Sequence, residues 1–220
     1  MRELLRNKNF MLFWAASAIA SIASLTLQFV VSLYAFDLTG SAALFGFILS
    51  VVLIPRLILY PVAGVWADRY NRKLLFVAPA VLMFVVLSGF STWHLLFSSL
   101  AIPHLFALVI ALEVFDCLFL TVSAVIPPMI VRGDLLGAAN SLGTFYAEFG
   151  YFIGVLLGSA IYAAFGFGYS LLGVTVSFAV CLVFMLLLRL PSLDRAEDRE
   201  TMRTDQPLLG EPKDGEDVRA

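Results

Sequence analysis

The chain has 220 residues, of which 61% are hydrophobic and 14% charged, and its mean hydropathy is +0.95. These values exclude an ordinary soluble domain, because too little polar surface is available to face water. The apolar runs are long enough to cross a bilayer, so the sequence predicts an integral membrane protein of the all-α class.

Six apolar stretches are predicted to span the membrane. They cover residues 10–36, 43–67, 74–93, 104–131, 136–164 and 169–189. The connections on one side and the terminal segments contain Lys and Arg, whereas the three opposite connections contain none. This distribution predicts that the basic side and both termini are cytoplasmic. Residues 191–220 turn abruptly polar and charged, so a disordered cytoplasmic tail is predicted to follow a transmembrane domain of residues 1–190.

The first span contains one amide side chain, Gln28, among residues that are otherwise apolar, small or hydroxylated. Small and hydroxylated residues are the usual packing material between membrane helices. An amide is poorly placed against lipid, so we expect Gln28 to face the helix bundle or a wet cavity.

A charged turn of ten residues, 64–73, separates the second and third spans. Asp68 lies where the preceding helix should end, beside the negative end of the helix dipole, so its carboxylate needs a cationic partner. Arg69, Arg72 and the more distant Arg132 are the candidates for that partner.

The second and fourth spans place charged residues deep in the membrane. Arg56 lies roughly 18 Å before Asp68 at about 1.5 Å per residue, so a carboxylate or water must compensate its charge. Glu113 and Asp116 share one helix face, and two carboxylates so close in a low dielectric cannot both ionise cheaply. At least one of these carboxylates is expected to carry a proton near neutral pH, unless Arg56 neutralises one of them. The alternative is that this pair lies nearer the outer surface and is hydrated.

The third span, residues 74–93, and residues 169–188 of the sixth contain no Asp, Glu, Lys, Arg or His, so we expect both to face lipid almost all round. The fifth span instead has a polar stripe, with Asn140, Thr144 and Glu148 at four-residue steps and Glu148 about mid-membrane. Beside the stripe runs a small-residue face suited to close helix contact. Its glycines include Gly150, Gly154 and Gly158.

The ten-residue turn resembles the loop between the second and third helices of the major facilitator superfamily. That signature reads Gly-x-x-x-Asp-Arg-x-Gly-Arg-Lys, and only Asn71 departs from it, where the family usually has glycine. Asparagine is the next best residue for a left-handed turn, so the match is preserved. The residues that match are Gly64, Asp68, Arg69, Arg72 and Lys73.

A second segment, residues 150–159, looks like the superfamily's exporter signature Gly-x-x-x-Gly-Pro-x-x-Gly-Gly. Val155 replaces the proline and Ser159 replaces a glycine, which leaves the direction of transport open. The family's fourth-helix signature, an arginine followed by a Gln-Gly pair, is absent, which weakens the transfer of its proton-coupling chemistry.

The resemblance implies the N-terminal six-helix half of a secondary transporter, built as two inverted three-helix repeats. It is most like the bacterial drug, macrolide and siderophore exporters, which implies a multi-pass protein of the inner cell membrane. The implied activity is efflux of a small amphipathic compound by alternating access, coupled to proton movement. The candidate residues of the substrate and proton pathway are Gln28, Arg56, Glu113, Asp116 and Glu148.

Other functions explain less of the sequence. A pore or carrier subunit outside this family would account for the buried charges but not for the ten-residue turn, and an inactive truncated transporter fragment is a further alternative. An enzyme is not expected, because His94 and His104 are the only histidines and no metal-ligand cluster, Gly-x-Ser-x-Gly motif or phosphate-binding loop occurs. No cofactor is predicted. The expected partners are lipid, a small-molecule substrate and either a second copy or a separately encoded C-terminal half, with no nucleic acid.

Overall fold

The described part of the chain is helical almost throughout. The computed structural model describes residue 4 and residues 6–51, 53–69, 72–97, 99–131 and 133–188. Within these ranges there is no strand, which confirms the all-α prediction. The helices are α1 (Lys8–Thr39), α2 (Ala42–Val51), α3 (Leu53–Arg69), α4 (Arg72–Phe97), α5 (Ile102–Ile130) and α6 (Leu136–Leu187), with a short 3-10 turn (Gly133–Leu135) before α6.

Five helical segments of the described chain are long and apolar enough to cross a membrane. They are Lys8–Thr39, Ala42–Trp66, Lys73–Phe97, Ile102–Ile130 and Gly133–Leu187. The first four correspond to the first four predicted spans, whereas the fifth and sixth predicted spans fall together in the last segment. The structure thus separates five segments where the sequence predicts six.

Helix α6 leaves helical geometry at one residue, Gly166, with φ 79° and ψ −177°. Glycine adopts this positive φ without the steric penalty that a Cβ brings. The contacts of α6 with α1, in chain order, are Gly150 to Ser21, Gly154 to Leu25, Tyr162 to Asp37, Phe167 to Tyr34 and Cys181 to Ala16. The residue numbers of the contacted positions on α1 increase along α6 up to Gly166 and decrease after it. The chain therefore reverses direction at Gly166.

Helix α1 has a defined cap at each end. The side chain of Asn7 accepts hydrogen bonds from the backbone N–H groups of Asn9 and Phe10, as an N-cap does. Its amide nitrogen also donates to the carbonyl of Ile130, 2.8 Å away, which joins the start of α1 to the end of α5. Gly40 ends α1 in the left-handed conformation, φ 66°, typical of a helix C-terminus.

The expectation that the third and sixth spans face lipid almost all round is wrong for one side of each helix. Phe76 and Met83 of α4 are buried, and so are Phe178 and Met185 after the reversal in α6. The interior of a membrane helix bundle and the surrounding lipid are equally apolar. A lack of charge in a helix therefore does not show which of the two it faces. The two helices pack together in the core of the bundle.

Candidate functional site

Arg56 of α3 and Glu113 of α5 form a bidentate ion pair. The Arg56 Nε lies 2.6 Å from Oε1 of Glu113, and Nη2 lies 3.1 Å from Oε2. This parallel arrangement is the strong, directional form of an arginine–carboxylate contact. Glu113 is only 2% exposed and the Arg56 side chain 29%, so the pair is largely withdrawn from the surface.

The second carboxylate of α5 contacts a different helix. The hydroxyl of Ser24 on α1 donates to Oδ1 of Asp116, 2.8 Å away, and Ser24 itself is buried. Gln28 follows Ser24 by one helical turn, so the two share a face of α1, and Gln28 is half-buried. Side chains of α1, α3 and α5 therefore meet around Glu113 and Asp116, and we name Arg56, Glu113, Asp116 and Ser24 the charged cluster.

Glu148 does not join the charged cluster. It lies on α6 and is exposed, and among the described residues it has no hydrogen bond or ion pair. The structure therefore brings together three of the four charged residues proposed for the pathway and leaves the fourth on an open face of α6.

The charged turn is only partly described. Gly64 lies within α3 and has no heavy atom within 4 Å of an added Cβ, and Lys73 is exposed at the start of α4. The side chains of Asp68, Arg69 and Arg72 lie outside the described part of the structure. So do Asn71, Arg132 and the predicted tail, residues 191–220. The charge pairing of Asp68 thus stays a prediction.

Comparison with protein families finds a match to the Major Facilitator Superfamily over residues 12–213. The chain belongs to the major facilitator superfamily. Comparison with curated proteins gives no significant match. Members of this superfamily are transporters rather than enzymes, and the long apolar helices indicate a multi-pass membrane protein.

In this major facilitator, the three glycines of the exporter-like segment lie against α1. A Cβ added at Gly150, Gly154 or Gly158 would lie 3.1 Å from Ser21 Cβ, 2.8 Å from Leu25 Cβ or 3.3 Å from Val30 Cγ2, respectively. The hydroxyl of Thr26 also donates to the carbonyl of Gly154, 3.0 Å away. The absence of side chains lets the two backbones approach closely, as small residues do at membrane helix interfaces.

Sequence reasoning missed Ser24 as a partner in this facilitator's charged cluster, because serines of the first span were assigned to helix packing alone. The signal that could have found it is the four-residue spacing from Gln28, which places both polar groups on one helix face. A polar face on a membrane helix indicates a neighbouring polar group rather than lipid.

Proposed function

We propose that this facilitator exports a small amphipathic compound by alternating access, with proton movement coupled to transport through the charged cluster. The observation that supports it is the bidentate Arg56–Glu113 pair beside Asp116, within helices that cross the membrane. Buried charges in such helices are costly, and they usually mark substrate or ion pathways. Helix packing alone does not require the three charged residues Arg56, Glu113 and Asp116 at these positions.

The two carboxylates of the cluster have different surroundings, which suggests different roles. Glu113 is neutralised by the guanidinium of Arg56, whereas Asp116 accepts a hydrogen bond from a neutral hydroxyl. Among the described residues, Asp116 has no cation within ion-pair distance. A proton is therefore the simplest neutralising group for Asp116, while the Arg56–Glu113 pair holds α3 against α5.

For the topology, we propose six crossings arranged as two inverted three-helix repeats, with both termini in the cytoplasm and the protein in the inner membrane. The reversal at Gly166 supports two crossings within α6, one on each side of the glycine. The restriction of Lys and Arg to one set of connections supports the orientation.

For the assembly, we propose that a second six-helix unit covers the face that carries Glu148, either another copy of this chain or a separately encoded half. Glu148 is exposed there, and Phe149 and Phe152 beside it are about half exposed or more, at 49% and 66%. A carboxylate at this depth is poorly placed against lipid, so a protein or water-filled surface opposite it is favoured.

The test is proton movement in proteoliposomes that contain the assembled transporter, followed with an internal pH-sensitive dye while small amphipathic compounds, β-naphthol among them, are added. Asp116→Asn and Glu148→Gln are expected to abolish compound-dependent proton movement and to leave membrane insertion intact. Asp134→Asn is the matched control, because this acid is exposed in the 3-10 turn outside the cluster. Unchanged proton movement in both the Asp116→Asn and the Glu148→Gln variant would remove the proposed coupling role.

A further inference from the structure

A groove of about 420 Å³ lies between α4 and the first turn of α5. Its described lining on α4 occupies one face of that helix and extends about 12 Å along the helix axis. His104 of α5 adds the remaining described side chain of the lining. The α4 positions, which we name the α4 strip, are Val85, Val86, Gly89, Phe90 and Trp93. The groove therefore runs parallel to a helix that is long and apolar enough to cross the membrane.

The α4 strip is apolar and open on its outer side. Val85 is 59% exposed and Trp93 47%, and the described lining contains no Asp, Glu, Lys or Arg. A Cβ added at Gly89 would have no heavy atom within 4 Å, so the missing side chain leaves space in the middle of the strip. The outer side of a membrane-crossing helix contacts acyl chains, which are as apolar as leucine. An elongated apolar chain that lies along α4 fits this shape.

His104 provides the groove with a hydrogen-bond donor. The backbone N–H of Ala101 donates to Nδ1 of His104, 3.2 Å away, as it would to the N3 side chain of a capping box. Because Nδ1 is the acceptor, the proton of the neutral imidazole lies on Nε2. Among the described residues Nε2 has no hydrogen-bond partner, and it remains accessible at the surface. This N–H is therefore free to donate to a ligand in the groove.

Aromatic contacts fix the imidazole at one end of the α4 strip. The ring centroid of His104 lies 5.9 Å from that of Trp93 and 6.4 Å from that of Phe90. Only the short segment between Phe97 and Ile102 joins the two membrane-crossing helices here, so this end lies near the bilayer surface. Tryptophan is typical of that depth, where the polar headgroups of lipids begin.

We propose that this groove binds one phospholipid molecule, with an acyl chain along the α4 strip and a phosphate oxygen that accepts the Nε2–H of His104. A phospholipid carries both groups at matching depths, and an N–H bond to an ionised phosphate belongs to the stronger class of hydrogen bonds. A second helical unit is expected elsewhere, on the face of α6 that carries Glu148, and no residue of α6 is among the described lining. The site does not depend on the proposed transport function.

The test is native mass spectrometry of the full chain in micelles, titrated with dipalmitoyl phosphatidylglycerol. Dipalmitoylglycerol is the matched probe, because it has the same chains without the phosphate. His104→Phe keeps a ring but removes the N–H donor, so it should weaken the first bound phosphatidylglycerol about three- to tenfold and leave dipalmitoylglycerol affinity unchanged. Thr92→Val is the control, because this exposed threonine of α4 lies outside the described lining and bonds only its own helix.

Gly89→Leu tests the α4 strip independently of the hydrogen bond, and it covers the case in which His104→Phe misfolds. The leucine should fill the groove and weaken both probes about tenfold or more, whereas Gly173→Leu, also on an exposed and unobstructed glycine, should weaken neither. Equal phosphatidylglycerol affinity in each variant and its control, or an equal loss of both probes in His104→Phe, would overturn the site. A dimer that dissociates only in Gly89→Leu would assign the groove to a second copy and overturn it as well.

Discussion

Tyr162 of α6 donates a hydrogen bond from its phenol to the carboxylate of Asp37 on α1. Asp37 lies in the last turn of α1, where the helix dipole disfavours a negative charge by about 0.3–1 kcal/mol, and the phenol offsets this. We predict that Tyr162→Phe lowers the free energy of unfolding by about 1 kcal/mol, measured by thermal unfolding in mild detergent. Asp37→Asn should cost less, because it retains an acceptor and relieves the dipole. A greater loss for Asp37→Asn would contradict this account.

The close contact of α6 with α1 predicts a steric effect at Gly154. An added Cβ would lie 2.8 Å from Leu25 Cβ and 3.0 Å from the carbonyl oxygen of Ile22, so the helices must separate. Gly154→Ala should therefore destabilise the bundle by about 1–3 kcal/mol. Gly173→Ala, with no heavy atom within 4 Å of its Cβ, should be neutral or stabilising by up to about 1 kcal/mol. Equal melting temperatures for the two variants would show that the contact does not limit stability.

The ion pair predicts a stability defect that a second substitution repairs. Glu113→Gln leaves the partly buried Arg56 without its counter-charge, which costs about 3 kcal/mol or somewhat less given the exposure of Arg56. The double variant Arg56→Gln, Glu113→Gln should recover most of this loss, because no uncompensated charge remains. Chemical unfolding of the single and double variants in micelles measures the coupling, and additive losses would argue against a direct pair.

The charged turn predicts a defect in conformational switching. Asp68→Asn in the assembled transporter should impair exchange between inward-open and outward-open states more than substrate affinity, because the family resemblance implies that this turn pairs charges between halves. Double electron–electron resonance between spin labels measures the exchange, with Asp134→Asn as control. A fall in affinity with unchanged exchange would assign Asp68 to substrate binding.

The exposed face with Glu148 predicts that the active species contains a second helical unit packed against this chain. Mass measurement in mild detergent or nanodiscs, combined with transport by the reconstituted chain alone, is expected to show a two-fold assembly or no activity without a separate half. In a closed two-fold dimer, the same face of each copy packs against the other, so the exposed face of both copies is covered. A monodisperse monomer that transports would contradict this prediction.

The long apolar runs and the charged turn made the helical class and the superfamily predictable, because hydropathy and a dense local motif are properties of sequence alone. The partner of Arg56 was not predictable in the same way. The sequence shows that Arg56 needs a carboxylate or water, but the choice of Glu113 over Asp116 depends on how α3 and α5 are rotated about their axes. Rotation is a property of packing, and local spacing does not encode it.

The sharpness of the turn between the fifth and sixth predicted spans was not predictable for a related reason. The residues between the fifth and sixth predicted spans, 165–168, look like a short loop, yet all of the turn's departure from helical geometry is concentrated at Gly166.

The reversal at Gly166 also affects how the protein can enter the bilayer. Phe165 and Phe167 flank the glycine, and residues 163–168 contain no charged side chain. A hairpin inserted from one side must carry its tip across the hydrocarbon, where each lysine, arginine or aspartate would cost about 2.5–3.5 kcal/mol. This tip avoids that cost entirely. The two arms of α6 can thus insert together as one helical hairpin, without a polar loop to translocate.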